Sequence, residues 1–201
     1  MRKALTDDEI AAFRDRLCAV AERLFARHGV AGVTMRQIAR ELDYSQTAAY
    51  RYFENKDEIL AAVRASAFNR FADRLDAGRT GRGPRADARA MGRAYLRFAV
   101  DEPDAYRLIF DVQQPDTGLY PDLAAAAARA RACMTGYVRA LVEAGELDGD
   151  PDELGTIFWA GAHGLVMLHL AGLVPTLEGL QDLHVAMMRM LLRGGSGTDR
   201  G

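Results

Sequence analysis

Cysteine, tryptophan and proline are scarce in this chain of 201 residues, which holds two, one and six of them. Cys18 and Cys133 lie far apart within helical patterns. That excludes a disulfide framework or a zinc cluster and leaves buried, reduced thiols. The start, MRKALTDDEI, lacks the apolar run of a signal peptide, and with the thiol usage this predicts a cytoplasmic protein. An excess of positive charge is missing too: 26 basic residues stand against 28 acidic ones, a net charge of -2. Any contact with a polyanion must therefore be local, with the acidic groups placed elsewhere. No uncharged apolar segment reaches transmembrane length with suitable flanks. The nearest, Ile157 to Pro175, is rich in Gly and Ala, carries two histidines and reads as a buried helix, so no membrane partner is expected. Strand-like alternation and internal repeats are absent. The four histidines (28, 163, 169 and 184) show no metal-ligand spacing with carboxylates beside them. There is no G-x-S-x-G, no P-loop, no dinucleotide fingerprint and no Glu-rich di-iron pattern. Neither an enzyme activity, a metal nor a cofactor is expected.

What is present is helical periodicity from end to end. Thr6 and Glu9 form a capping box, and Ile10, Phe13, Leu17, Val20 and Leu24 recur at spacings of three and four until Gly29 ends the helix. A long helix starts at Lys56, with Leu60, Val63, Ala67, Phe68, Phe71 and Leu75 on its buried side, and stops at Gly78. The stretch GRTGRGP, Gly78 to Pro84, is the most linker-like part and reads as a mobile loop. Helices follow over Arg85–Asp101, Asp104–Val112, Asp122–Ala144, Asp150 to about Ala171, and onward from Thr176. QQPDTG lies between two of them as a loop, and the tail from Gly194 should be disordered. About nine helices result, an all-α protein: a three-helix head over 1–60, a helical domain over 61–193 and a tail over 194–201. The last two helices have broad apolar faces, which predicts a dimer interface or a ligand chamber.

The head is organised around Thr34 to Lys56, TMRQIARELDYSQTAAYRYFENK. Thr34 with Gln37 is a second capping box, and Ile38, Ala39 and Leu42 share an apolar face. Asp43-Tyr44-Ser45 breaks the period; Asp tolerates left-handed backbone, and Ser45 is a good N-cap. The next helix, Gln46 to Phe53, buries Ala49 and Phe53 and leaves Gln46, Thr47, Tyr50 and Arg51 outside. Asn55 caps the following helix with Glu58 at the reach-back position. A short exposed helix bearing amide, hydroxyl, phenol and guanidinium groups suits the major groove of DNA. The residues alone leave a second reading open, a small helical corner with ordinary polar surface.

The stretch AERLFARHGVAGVTMRQIARELDYSQTAAYRYFENKDEIL resembles the head of the tetracycline-repressor (TetR) family of bacterial transcriptional regulators. Phe25, Gly29, Thr34, Ile38, Ala39, Ser45, Tyr50, Phe53, Lys56 and Leu60 stand at that family's spacing. Asp43 departs from it, since the family usually has Gly in the turn. Further on, YLRFAVDEPDAYRLIF and WAGAHGLVMLHLAG resemble the regulatory domain of a subgroup marked by a Trp, His and Gly cluster. The resemblance implies an all-α homodimer paired through its last two helices, with a helix-turn-helix over about 34–53. Two heads would sit on double-stranded operator DNA, and a small apolar or aromatic effector in the C-terminal domain would spread them apart.

Carried over position by position, the resemblance makes Arg36, Gln46, Thr47 and Tyr50 the base readers. Arg36 would face a guanine edge, Gln46 an adenine edge and Thr47 a thymine methyl. Thr34, Ser45, Tyr52 and Lys56 would hold phosphates. Trp159, His163 and Met167 recur at i, i+4 and i+8 and would form a pocket wall, with Phe68, Phe98, Tyr106 and Phe110 as further aromatic lining. Core packing accounts for these seven equally well, and His163 either contacts the effector or fills the core. The function expected is a ligand-responsive DNA-binding regulator that acts as a repressor. The alternative is a helical carrier of small molecules with a vestigial head.

Overall fold

The computed structural model describes residues 6–110 and 117–194. Residues 113–116 of the expected loop over 113–118, the last two residues of the Asp104–Val112 helix and the tail beyond Gly194 lie outside the described residues, while Thr117–Leu119 form a 3-10 turn. Among those described there are nine α-helices, one 3-10 turn and no strand. No helix among the described residues is long and apolar enough to cross a membrane.

The caps read from the sequence set the first boundaries. Thr6 accepts from the Glu9 amide while the Glu9 carboxylate accepts from the Thr6 amide, at 3.3 and 2.8 Å, and this starts α1, Asp7–His28. The same reciprocal pair, Thr34 with Gln37, starts α2, Met35–Arg40. Ser45 accepts from the Ala48 amide at 3.2 Å and starts α3. That helix covers only Gln46–Ala49, shorter than the periodicity predicts. Past it the amides of Arg51 and Tyr52 reach back three residues to Ala48 and Ala49, so the chain tightens into a turn. Ala49 and Phe53 are buried nonetheless.

At the start of α4, Lys56–Ala77, Asn55 Oδ1 accepts from the Glu58 amide at 2.8 Å. The return bond differs from the expected capping box. The Glu58 carboxylate accepts from the Glu54 amide at 2.6 Å, one residue further out, because its other oxygen is held by Arg14 at 3.2 Å.

The remaining helices are α5 (Pro84–Asp101), α6 (Pro103–Phe110), α7 (Pro121–Glu143), α8 (Pro151–Leu170) and α9 (Leu177–Gly194). Pro stands in the first turn of α5 and of α8, where its missing N–H goes unused. Asp150 caps α8 by accepting from two amides, and Thr176 caps α9. The linker-like loop before α5 is held down: the Asp87 carboxylate accepts from the Thr80 hydroxyl, the Thr80 amide and the Gly81 amide at 2.6–3.0 Å. Those bonds hold the Asp87 carboxyl below the usual carboxylate range.

The chain divides into two compact units, one of Met1–Phe68 with Asp104–Ala127, the other of Asn69–Pro103 with Ala128–Gly201. The core of the first joins Phe13, Leu17, Val20 and Phe25 of α1 to Met35, Ile38 and Ala39 of α2, Ala49, Phe53, the start of α4, and Leu108 of α6. Each large apolar group removed from such a core destabilises by about 2–5 kcal/mol. This core gives two very short helices a fixed base, which they lack alone. In the second unit Val138, Leu141 and Phe158 pack with Ala88 and Leu147. Gly92 of α5 lets α9 approach closely, since a Cβ there would lie 2.4 Å from Cε1 of the buried His184.

Candidate nucleic-acid interface and ligand cavity

The first unit presents the helix-turn-helix. Its turn depends on one residue in an unusual conformation: Asp43 has φ 57°, the only positive φ outside glycine among the described residues. The amide of Tyr44 bonds to the Ala39 carbonyl at 3.0 Å and that of Asp43 to Arg40 at 3.1 Å. This pairing is a Schellman motif, with Asp43 where glycine is the common choice. Beneath the turn, Ile38, Ala39, Ala49 and Phe53 are buried. Above it Arg36, Gln46, Thr47 and Tyr50 are all exposed, Tyr50 to 47%. The four predicted base readers thus share the exposed surface of α2, α3 and the turn that ends α3.

The four predicted phosphate anchors are less uniform. Thr34 and Ser45 are exposed, with their hydroxyls already capping helices. Tyr52 is half-buried, its ring 4.1 Å from that of Phe13. Lys56 is half-buried too, and its ammonium donates to the Val30 carbonyl at 2.8 Å. An ammonium has three donors, so this bond fixes its position and leaves others for a phosphate.

Sequence reasoning missed Arg14. Its guanidinium donates to the Tyr52 carbonyl and to Glu58, and stacks 4.0 Å over the Phe53 ring. It therefore ties α1 to the turn after α3 and to the start of α4. Its partners lie 38 and 44 residues away, and nothing local in the sequence signals them.

The second unit contains a small cavity of about 30 Å³. Met91, Tyr95, Met134, Tyr137, Trp159 and His184 are among its lining residues. Burial pushes the Tyr137 phenol up and the His184 imidazole down, so both are neutral near pH 7. The walls are thus aromatic and apolar, with uncharged polar tips.

Of the predicted pocket residues only Trp159 lines this cavity. His163 and Met167 are half-buried on α8 beyond it. Eight residues carry Met167 about 80° around the helix from Trp159, so the i, i+4, i+8 row drifts off the lining face. Ala162 and Phe158 share that face instead. Phe98 is fully buried behind, its ring 5.0 Å from that of Phe71. Phe68, Tyr106 and Phe110 belong to the first unit, where they form an aromatic cluster of their own. His184, to which the sequence reading gave no role, lines the cavity. Its position four residues after the buried Leu180 on α9 was the available signal.

These features define an all-α protein with a helix-turn-helix head and a second helical unit built around an aromatic cavity. The chain belongs to the TetR family of bacterial regulatory proteins: residues 17–63 match the tetR-family model of bacterial regulatory proteins, and residues 88–191 match a tetracyclin repressor-like C-terminal domain. The second match carries that general description and not the Trp-His-Gly subgroup. Among curated relatives, it is 30% identical over 116 residues to the HTH-type transcriptional regulator Rv1816 of Mycobacterium tuberculosis, covering 56% of this chain and 50% of that one. The chain thus spans about half the length of that relative. A solved protein of unknown function from Rhodococcus sp. RHA1 superposes with a TM-score of 0.77 at 25% identity, over 92% of this chain and 95% of its own. A tetR-family regulatory protein from Rhodococcus RHA1 has the same fold, with a TM-score of 0.72 at 18% identity over 92% and 98% of the two chains.

Proposed function

We propose that this chain is a DNA-binding transcriptional regulator that works as a homodimer and releases its operator when a small molecule binds. In this reading residues 1–60 bind DNA and residues 61–193 dimerise and sense the ligand. One observation carries it: Arg36, Gln46, Thr47 and Tyr50 stand exposed together on a helix-turn-helix whose other face is buried. Two such surfaces about 34–36 Å apart would meet successive major grooves of a pseudo-palindrome. Arg36 and Gln46 would read base edges, while Thr34, Ser45, Tyr52 and Lys56 would hold the backbone.

Support for the dimer comes from α8 and α9, which leave Ile157, Leu168, Leu183 and Met190 exposed, Met190 to 75%. On α8, Gly164 has open space where a Cβ would be, which leaves room for a partner helix. The cavity beside Trp159 would admit an apolar or aromatic effector if the surrounding helices move apart. Such a ligand releases DNA only if it binds the released state better than the bound one. The test is fluorescence anisotropy with DNA from upstream of the gene, at several salt concentrations, with and without candidate effectors. Tight, salt-dependent binding of one fragment supports the reading; equal binding of all fragments contradicts it.

A further inference from the structure

Arg64, in the middle of α4, is wholly buried, at 0% exposure. Its guanidinium offers five N–H donors. Among the described residues only Nη2 finds an acceptor, the Ile109 carbonyl at a long 3.4 Å, while Nε and Nη1 have no partner. No carboxylate among the described residues compensates its charge. Burial alone pulls the group down to about 10 from its usual value, still well above neutral pH, so it stays charged. A buried guanidinium without a counter-charge is strongly unfavourable, and native proteins seldom keep one without a use.

The surroundings narrow that use. Phe68 lies one turn further along α4, so it shares the face of Arg64. The Phe68 ring stands edge-on to that of Phe110 at 6.2 Å, and Tyr106 lies 4.7 Å from Phe110. Ile109, which supplies the single acceptor, directly precedes Phe110. One cation thus sits beside an aromatic cluster, all within the first unit.

We propose that Arg64 is the anion-binding residue of a second ligand site, which takes the carboxylate of a small organic acid while its apolar body packs among Phe68, Tyr106 and Phe110. A carboxylate matches the planar guanidinium fork and needs no other polar partner. A phosphate dianion would leave charge and lone pairs unmet in so apolar a setting. The site shares no residue with the cavity lined by Trp159 and His184, and it stands whether or not the head binds DNA.

Thermal unfolding of the full chain tests it, with a panel of aromatic and medium-chain monocarboxylic acids and their methyl esters as probes. At a hundredfold excess over its Kd, an accepted acid should raise Tm by about 5–10 °C, and its ester should leave Tm unchanged. Arg64→Met should abolish that shift, and its ligand-free Tm should equal or exceed that of the unaltered protein, because an unpaired buried charge has gone. The proposal is overturned if no acid shifts Tm, if esters act as well as acids, or if Arg64→Met keeps the response. A large drop in the ligand-free Tm of Arg64→Met would also overturn it, by showing that the charge is already compensated. Arg64→Gln, which keeps a polar side chain of similar reach without the charge, should lose the response to acids as well, and a retained response would likewise overturn the proposal.

Discussion

Asp43 holds a left-handed backbone that costs a residue with a Cβ about 1–2 kcal/mol, and glycine far less. Asp43→Gly should therefore raise stability by up to about 1 kcal/mol, or about 2–4 °C in Tm. A calorimetric scan that finds the variant less stable would show that the Asp side chain supports the turn in another way. The two kinds of DNA contact should also separate. Lys56→Ala should weaken binding to every sequence and lower the salt slope by about one. Arg36→Ala or Gln46→Ala should relax preference at one base pair, with a loss of about 1–3 kcal/mol of discrimination. Binding titrations on single-base variants of the operator would show both patterns; identical behaviour of the two classes would refute the division. His184 supplies a pH effect. Its folded value lies below the unfolded 6.5, so the unfolded chain binds more protons, and stability is lost as pH falls through 6.5. His184→Gln should flatten the fall in Tm between pH 7.5 and 5.5 relative to the unaltered protein, and an unchanged slope would remove His184 as its cause. At this scale the caps were legible, because Thr34, Ser45 and Asp150 bond within four residues of themselves. Arg14, Lys56 with Val30, and Arg64 were not, because their partners lie 26 to 45 residues away.

Among the elements, helix number and order followed from periodicity and from the Gly and Pro that punctuate it. Helix ends followed less well. The stop of α3 after Ala49 reflects a switch to bonds three residues back, which alters no apolar position and so leaves no trace in the pattern. Periodicity found the apolar character of α8 but not which of its faces lines the cavity, since most positions of that helix are apolar or small. The outward residues of α8 and α9 carry a prediction of their own. Met190→Lys together with Leu183→Lys places charge on an exposed apolar face at no core position. Light scattering after gel filtration should give the dimer mass for the unaltered chain and the monomer mass for the double variant. A variant that stays dimeric would place the interface elsewhere.

On the scale of the whole molecule, near-neutral net charge and a local DNA-binding surface are compatible only if affinity comes from a few well-placed contacts. The family match fixes the fold and the order of its parts. All-α architecture was readable because each helix announces itself locally. The cavity was not, because it arises where the end of α4 meets α5, α7, α8 and α9, and that meeting depends on the close approach at Gly92. The central claim is that the exposed face of α2 and α3 reads DNA. Anisotropy titration of the unaltered chain against a labelled upstream fragment, with excess unlabelled random DNA, tests it most directly. The account predicts a specific complex that survives the competitor, weakens as salt rises, and loses its preference in Arg36→Ala with Gln46→Ala. A fragment displaced by random DNA as readily as any other, even at low salt, would contradict it.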